Sequence, residues 1–347
     1  MKILEVKAES NRSKILIGEK FSNLNKYIEG RKTIILTDSN ILKYYKKDLP
    51  AGIPVIEMGL GEKSKTIDTV HMIMGKLLDL EADRTSFLLA IGGGIVCDVG
   101  GFAASIYMRG IPFGFVSTTL LSQVDASVGG KNGVNLKGFK NMLGVFNQPE
   151  FVLCDTGMFS TLEEEEFRSG FAEIIKAGAI KNASLFNYCK KNNRAALNHQ
   201  KEVILNMIYE SVKIKASVVK VDEREKGERR LLNFGHTFAH ALEKKTGMLH
   251  GKAVSIGMVM AARISNVLGM ISREEVDDII GVIESYGLPT QSEMPVTDLF
   301  SAMKQDKKRI GDSIHLVLLE KIGHAVTRKF SYNELQNTIN DLRSDIG

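Results

Sequence analysis

Tryptophan is absent from this chain, and cysteine occurs only three times and proline six times in 347 residues. The cysteines (Cys97, Cys154 and Cys189) stand far apart and form no C-x-x-C pair. That argues against a disulfide framework or a thiolate zinc site and leaves buried free thiols. With 32 glycines, few prolines and 25% charged residues, nothing reads as collagen-like, low-complexity or disordered. Long apolar runs are also lacking: the stretch after Ser86 is broken by Asp98, and the opening MKILEVKAES has neither the charged start nor the apolar core of a signal peptide. These absences predict a cytosolic protein with no membrane partner. Charge of one sign is scarce too. The excess of +5 is dispersed, without a basic tail, an aromatic-interleaved stripe or a finger pattern, so nucleic acid is not an expected partner. Some of that excess suits an anion pocket instead.

What is present is enough apolar sequence, 44%, to fill more than one core, and the length predicts two domains. Up to Cys154, short runs rich in Ile and Val alternate with helical periodicity. The runs are KILEV, KILIG, TIILT (33–37), IPVIEM (53–58), SFLLAI (86–91), IPFGFV (111–116) and FVLC (151–154). This is the pattern of an α/β fold, a Rossmann-like, mostly parallel sheet with helices on its faces. The first two runs are too close for a crossover helix and predict an antiparallel edge pair. Beyond Asp155 the spacing turns helical, over Lys201–Val221, Arg229–Lys245 and Ala253–Leu268, so an α-helical domain follows. SIHLVLLEKIG and HAVTRKF (313–330) predict a hairpin, and Ser331 with Glu334 a capping box opening a last helix. The boundary falls between Asp155 and Leu162, giving domains 1–158 and 159–347.

Three constellations point to chemistry. Ala90-Ile91 runs into Gly92-Gly93-Gly94, with a helix expected near Asp98; such a strand-turn-helix lets backbone amides approach a phosphate where the helix dipole favours an anion. Thr37-Asp38-Ser39-Asn40 and Gly61-Glu62-Lys63-Ser64-Lys65 follow other strands, where open α/β sheets place ligands. Ser117 to Gln148 reads as a long Gly-studded loop, and loops of that length in a compact domain are usually functional; it offers Asp125, Lys131, Lys140 and Asn141 to grip a substrate. The third set is metal-like: Glu173, the pair His236 and His240 at helical i, i+4 spacing, and His250. Three N/O ligands describe a catalytic metal, but spacing leaves open which two of the three histidines bind. His71, His199, His315 and His324 have no such setting and read as structural or surface residues.

GGGIVCDVGGFAASIYMRG, QVDASVGGKNGVN, KNMLGVFNQP, GFAEIIK, DERE with RRLLNFGHTFAHALE, and HGKAV together resemble the 3-dehydroquinate synthases, and the resemblance covers nearly the whole chain. It implies an NAD-binding α/β domain, a helical domain, a divalent metal (zinc or cobalt), and commonly a homodimer. Matched motif by motif, it assigns the cofactor to Asp38, Asn40, Glu62, Lys65, Gly93, Gly94, Asp98, Thr118 and Thr119. The metal falls to Glu173, His236 and His250, leaving His240 to the substrate phosphate. Arg109, Asp125, Lys131, Lys140, Asn141, Lys176, Lys215, Arg229 and Asn233 match the substrate set, with Asp125, Lys131 and Lys140 also counted to the cofactor side. Lys252 departs from the family, which often has Glu after the HG pair, and MKQDKKRIG (303–311) resembles the family's basic C-terminal stretch.

The implied reaction converts 3-deoxy-D-arabino-heptulosonate 7-phosphate, a small anionic sugar-acid phosphate, to 3-dehydroquinate and phosphate with NAD regenerated. A substrate bearing carboxylate and phosphate needs several cations, Arg as a bidentate fork and Lys as point charges. The alternatives are a related cyclase making an inosose or a valiolone, a metal-dependent polyol dehydrogenase, and a non-catalytic NAD- or metal-binding regulator.

Overall fold

The structure, a computed structural model, describes residues 1–8, 11–294 and 313–344, and the chain divides into two units. Met1–Glu163 and Lys215–Arg224 make the first, Glu164–Ile214 and Glu225–Gly347 the second. The sequence boundary near 158 took no account of a returning segment, and Lys215–Arg224 is one.

The first unit runs β1 (Lys2–Lys7), β2 (Arg12–Ile17), α1 (Asn25–Ile28), β3 (Thr33–Asp38), α2 (Ser39–Tyr45), β4 (Val55–Met58), α3 (Ile67–Asp79), β5 (Phe87–Gly92), α4 (Gly94–Ile106), β6 (Phe113–Ser117), β7 (Lys131–Leu136), β8 (Phe139–Phe146) and β9 (Phe151–Cys154). Seven strands form one sheet in the order β1-β2-β9-β6-β5-β3-β4, and all neighbours are parallel except β1 with β2. Composition explains the order. β5, β6 and β9 are buried at every residue, as strands covered on both faces must be, whereas β4 alternates exposed and buried residues and sits at an edge. The predicted antiparallel pair, β1 and β2, closes the other edge.

From β3 the chain goes outward to β4, while β5 lies on the opposite side of β3 and leads on to β6. That reversal makes a switch point at the carboxyl ends of β3 and β5, the place where open α/β sheets receive ligands. α4 starts there. It begins at Gly94, four residues before the Asp98 start expected from sequence, because glycines that look like loop are needed for packing: a Cβ on Gly100 would lie 2.8 Å from the Ala90 Cβ of β5.

Ser117–Gln148 is not the long loop the sequence suggested. Ser122–Ala126 forms a single π-helical turn, and β7 and β8 pair antiparallel around Lys137-Gly138. Both turn residues have positive φ, 50° and 79°, as a two-residue type I′ connection requires.

The second unit runs α5 (Glu164–Lys181), α6 (Ala183–Leu197), α7 (Lys201–Val221, its last turns belonging to the first unit), α8 (His236–Thr246), α9 (His250–Val267), α10 (Arg273–Ser285), β10 (Ser313–Lys321), β11 (His324–Ser331) and α11 (Tyr332–Ser344). The hairpin is as predicted, and the Ser331–Glu334 box is reciprocal: each backbone N–H donates to the other's side chain, at 2.7 and 3.2 Å. The helix expected from Arg229 starts only at His236, because Gly235 takes a left-handed φ of 80° and Glu228–Asn233 coils as a 3₁₀ turn.

α5 and α9 are buried over nearly their whole lengths, and glycines set how closely they approach. A side chain on Gly251 would overlap the Ser169 backbone of α5, and one on Gly257 would overlap the Gly235 carbonyl at the start of α8.

The two kinds of glycine predict opposite mutational signs. Gly100→Ala presses α4 off the sheet and should lower stability by about 1 to 3 kcal/mol. Gly75→Ala, in α3 with nothing within 4 Å of the added carbon, should raise it by roughly 0.4 to 1 kcal/mol. Thermal midpoints of the two variants against wild type check this pair.

Candidate functional site

Residues singled out in the first unit gather around the switch point. Gly93 caps α4 without a side chain, and a Cβ there would meet Thr119 at 3.2 Å, so the turn is closely apposed to the segment after β6. Thr118 N donates to Gly92 O at 3.0 Å, and Thr119 Oγ1 to Ser122 Oγ at 2.9 Å. Asp38 ends β3 and caps α2, accepting from Ile41 N at 3.0 Å; burial raises its carboxyl pKa. Asn40 follows on the exposed first turn of α2. Lys65, 6% exposed, holds Asp98 Oδ2 at 2.5 Å. Burial raises the Asp98 pKa and the lysine opposes that. Glu62 accepts from Asn135 Nδ2 at 2.8 Å and faces Lys140 Nζ at 3.9 Å.

Asn135, which sequence reasoning passed over, is the node of this cluster. Its backbone N–H donates to Lys65 O at 2.9 Å and its Oδ1 accepts from Asn141 N at 2.9 Å, so it joins β7, β8 and the Glu62–Lys65 turn. In the same unit Lys215 Nζ lies 2.5 Å from Asp125 Oδ1 and 2.6 Å from Asp125 O. Lys131, Lys140 and Asn141 are exposed along the hairpin, and Arg109 is exposed after α4. Arg109 and Asn141 both have positive φ, 70° and 54°. Left-handed backbone at an exposed Arg is uncommon and marks a position the surroundings over-determine.

In the second unit two of the three histidines stand close to Glu173. Donor atoms of Glu173, His236 and His250 all lie within 4.8 Å of one another. His250 Nε2 is 3.3 Å and His236 Nε2 3.6 Å from Glu173 Oε1. His240, one turn along α8, is exposed, its ring 5.7 Å from that of His236. Glu173 is 2% exposed and its other oxygen is paired with Lys176, itself 3% exposed. His236 Nδ1 faces Phe234 O at 3.2 Å; a carbonyl only accepts, so Nδ1 carries the hydrogen and Nε2 its lone pair. Burial and the nearby Lys176 lower the His236 pKa to about 3. Burial also acts to lower His250, but hydrogen bonds with Glu173 and Glu243 outweigh it and raise the pKa to about 9. Two buried carboxylates thus hold positive charge at this spot.

Two family profiles match in series, one described as 3-dehydroquinate synthase N-terminal over residues 55–169 and one as 3-dehydroquinate synthase C-terminal over residues 170–309. A 3-dehydroquinate synthase of Acidithiobacillus ferrooxidans is 43% identical over 303 residues, 84% of this chain and 83% of the relative. The chain belongs to the 3-dehydroquinate synthase family. Among solved structures, 2-epi-5-epi-valiolone synthase from Streptomyces hygroscopicus subsp. jinggangensis, with NAD+ and Zn2+ bound, is 24% identical and superposes with a TM-score of 0.86 over 99% of each chain. A 2-deoxy-scyllo-inosose synthase complexed with carbaglucose-6-phosphate, NAD+ and Co2+ is also 24% identical, with a TM-score of 0.85 over 98% of this chain and all of the other. These likenesses show the fold of the sugar-phosphate cyclases.

The residues carried over from the 3-dehydroquinate synthases divide between the units. Arg109, Asp125, Lys131, Lys140, Asn141 and Lys215 belong to the first; Lys176, Arg229, Asn233 and His240 to the second. Arg229 is 2% exposed, and Asn233 Nδ2 donates to Glu225 Oε1, a left-handed residue (φ 58°) of the quoted DERE motif. Lys252, where the family often has Glu, pairs with Glu165 at 3.0 Å in the acidic first turn of α5 and touches none of the three clustered residues in any described ion pair. The basic stretch 303–311 lies outside the described residues.

The buried Glu173–Lys176 pair makes a prediction about charge. Lys176→Met leaves a buried carboxylate short of its partner and should cost about 3 to 5 kcal/mol in chelator-treated protein. The double change Lys176→Met with Glu173→Leu should recover most of that loss, read as thermal midpoints. A double variant as unstable as the single one would mean that packing, not charge, sets the cost.

Proposed function

We propose that this protein is a 3-dehydroquinate synthase, converting 3-deoxy-D-arabino-heptulosonate 7-phosphate to 3-dehydroquinate and phosphate with catalytic NAD and a divalent metal. The observation that carries the reading is the Glu173–His236–His250 cluster, in a chain of this family over both of its halves.

The donor set fits a divalent ion. Four-coordinate bonds of about 2.0 to 2.1 Å place neighbouring ligand atoms roughly 3.3 Å apart, and the two histidine–carboxylate separations are 3.3 and 3.6 Å. Two imidazoles and one carboxylate suit zinc or cobalt and leave a position for substrate oxygen. NAD fits the switch point of the first unit: Gly93 and Gly94 leave the α4 amides open to a pyrophosphate, and Asp38 ends the neighbouring strand. A metal held by Glu173, His236 and His250 would supply Lewis-acid polarisation of substrate oxygens, and NAD at the switch point would supply a reversible hydride acceptor, with no net NADH formed.

The protein's own groups do the rest. Lys176 holds Glu173 charged and fixed for its ligand role. Lys215, tethered by Asp125, presents a positioned ammonium, and Arg109, Lys131, Lys140, Arg229 and His240 supply cationic and hydrogen-bonding groups for carboxylate and phosphate. Asn135 keeps Glu62 and Lys65, on the cofactor side, in register with Asn141 of the substrate set. Identity well above that to the valiolone and inosose synthases supports dehydroquinate as product. The same reading makes the protein a cytoplasmic homodimer; among the described residues no helix is long and apolar enough to cross a membrane.

Chelation should abolish turnover, and zinc or cobalt should restore it. With the heptulosonate phosphate, phosphate should appear stoichiometrically while NADH does not accumulate. Steady NADH formation without phosphate release would overturn the reading in favour of a dehydrogenase. Asn135→Ala, losing a hydrogen bond to a carboxylate worth roughly 1.5 kcal/mol, should weaken NAD binding about tenfold by calorimetric titration; an unchanged Kd removes Asn135 from the cofactor side.

A further inference from the structure

Glu243 lies inside the NFGHTFAHALE segment, yet neither spacing nor the assigned site residues give it a task. It is 6% exposed near the end of α8. Its Oε1 stands 2.6 Å from His250 Nδ1, while His250 Nε2 is turned to Glu173 Oε1 at 3.3 Å.

We infer that Glu243 is a positioning residue of the metal centre, fixing the tautomer, orientation and donor strength of His250. The inference rests on the metal reading above. Both ring nitrogens face carboxylates, which only accept, but the Glu243 contact is the shorter, 2.6 against 3.3 Å, so when His250 is neutral, as a ligand must be, its hydrogen sits on Nδ1 and Nε2 carries the lone pair. Carboxylate-bound imidazole is also the stronger donor.

The companion ligand is held differently. His236 is braced by a neutral carbonyl, Phe234 O, at 3.2 Å, and it sits 11% exposed against 29% for the side chain of His250. The more exposed ligand thus has the charged brace. Helix geometry explains how one short segment supplies both parts. His236 opens α8, Glu243 lies seven residues on along the same face, Gly247 ends the helix at a left-handed φ of 68°, and His250 opens α9. The first turn of a helix disfavours positive charge, so a ligand ring there gains from an adjacent carboxylate.

The test uses the full-length protein stripped of metal and two variants, Glu243→Gln, which keeps shape and loses charge, and Glu243→Ala. Zinc affinity, by competition with a chromophoric chelator, should fall about 10- to 100-fold, more for Ala than for Gln, and the visible absorption bands of the Co2+-loaded protein should shift. The shift of the Co2+ bands, which a loss of stability alone would not produce in folded, metal-loaded Glu243→Gln, separates positioning from folding. Wild-type zinc affinity with an unaltered Co2+ spectrum in Glu243→Gln overturns the inference and leaves the metal reading intact. Wild-type protein that takes up neither ion overturns both.

Discussion

Glu173 is a carboxylate in the middle of a buried helix, and the second unit is arranged around the need to keep it charged. An unpaired buried ion costs several kcal/mol even after relaxation, so such a group survives only among cations and donors. Lys176, one turn along α5, takes one oxygen, and two imidazoles face the other. Lys176 alone would neutralise it. A second carboxylate, Glu243, stands on the other side of the His250 ring and helps to hold its positive charge. The lysine that the family resemblance places in the substrate set therefore stands, in the structure, against the carboxylate that the same resemblance gives to the metal.

Backbone proximity delivers the two imidazoles. His250 adjoins Gly251, which abuts α5 at Ser169, one turn before Glu173; His236 adjoins Gly235, which abuts α9 at Gly257. Each histidine is thus carried by a contact that only hydrogen at Cα allows, and the imidazole positions are set by main chain rather than by long side chains. The first unit uses the same device at Gly93, Gly94 and Gly100, where the turn and α4 lie against their neighbours. Rigid elements hold both sets of groups, in keeping with the need to place reacting groups within fractions of an ångström.

The sheet, the helical second half, the terminal hairpin and its capping box were all legible, because each depends on periodicity or local hydrogen bonding. Glu173 with His236, His240 and His250 emerged from residue type, but which histidines stand close to the carboxylate depends on distances that spacing does not encode. The β7–β8 hairpin escaped because its turn is Lys-Gly rather than Asn-Gly, and neither NGVNL nor FKNML alternates strictly between polar and apolar residues. Asn135 and Glu243 escaped for a different reason. They act through other residues, and an Asn in a strand or a Glu on a helix carries no signal of that. The segment Lys215–Arg224 could not be assigned to the first unit because it continues a helix whose earlier turns belong to the second.

That returning segment has a consequence for how the protein is made. Asp125 and its ammonium partner Lys215 are 90 residues apart. At a synthesis rate of roughly 5 to 20 residues per second, the sheet of the first unit is complete on the ribosome several seconds before the lysine that secures its π-turn has been translated. The N-terminal unit therefore emerges before the ammonium that packs against its π-turn exists, and a fragment cut at the sequence boundary would never acquire it.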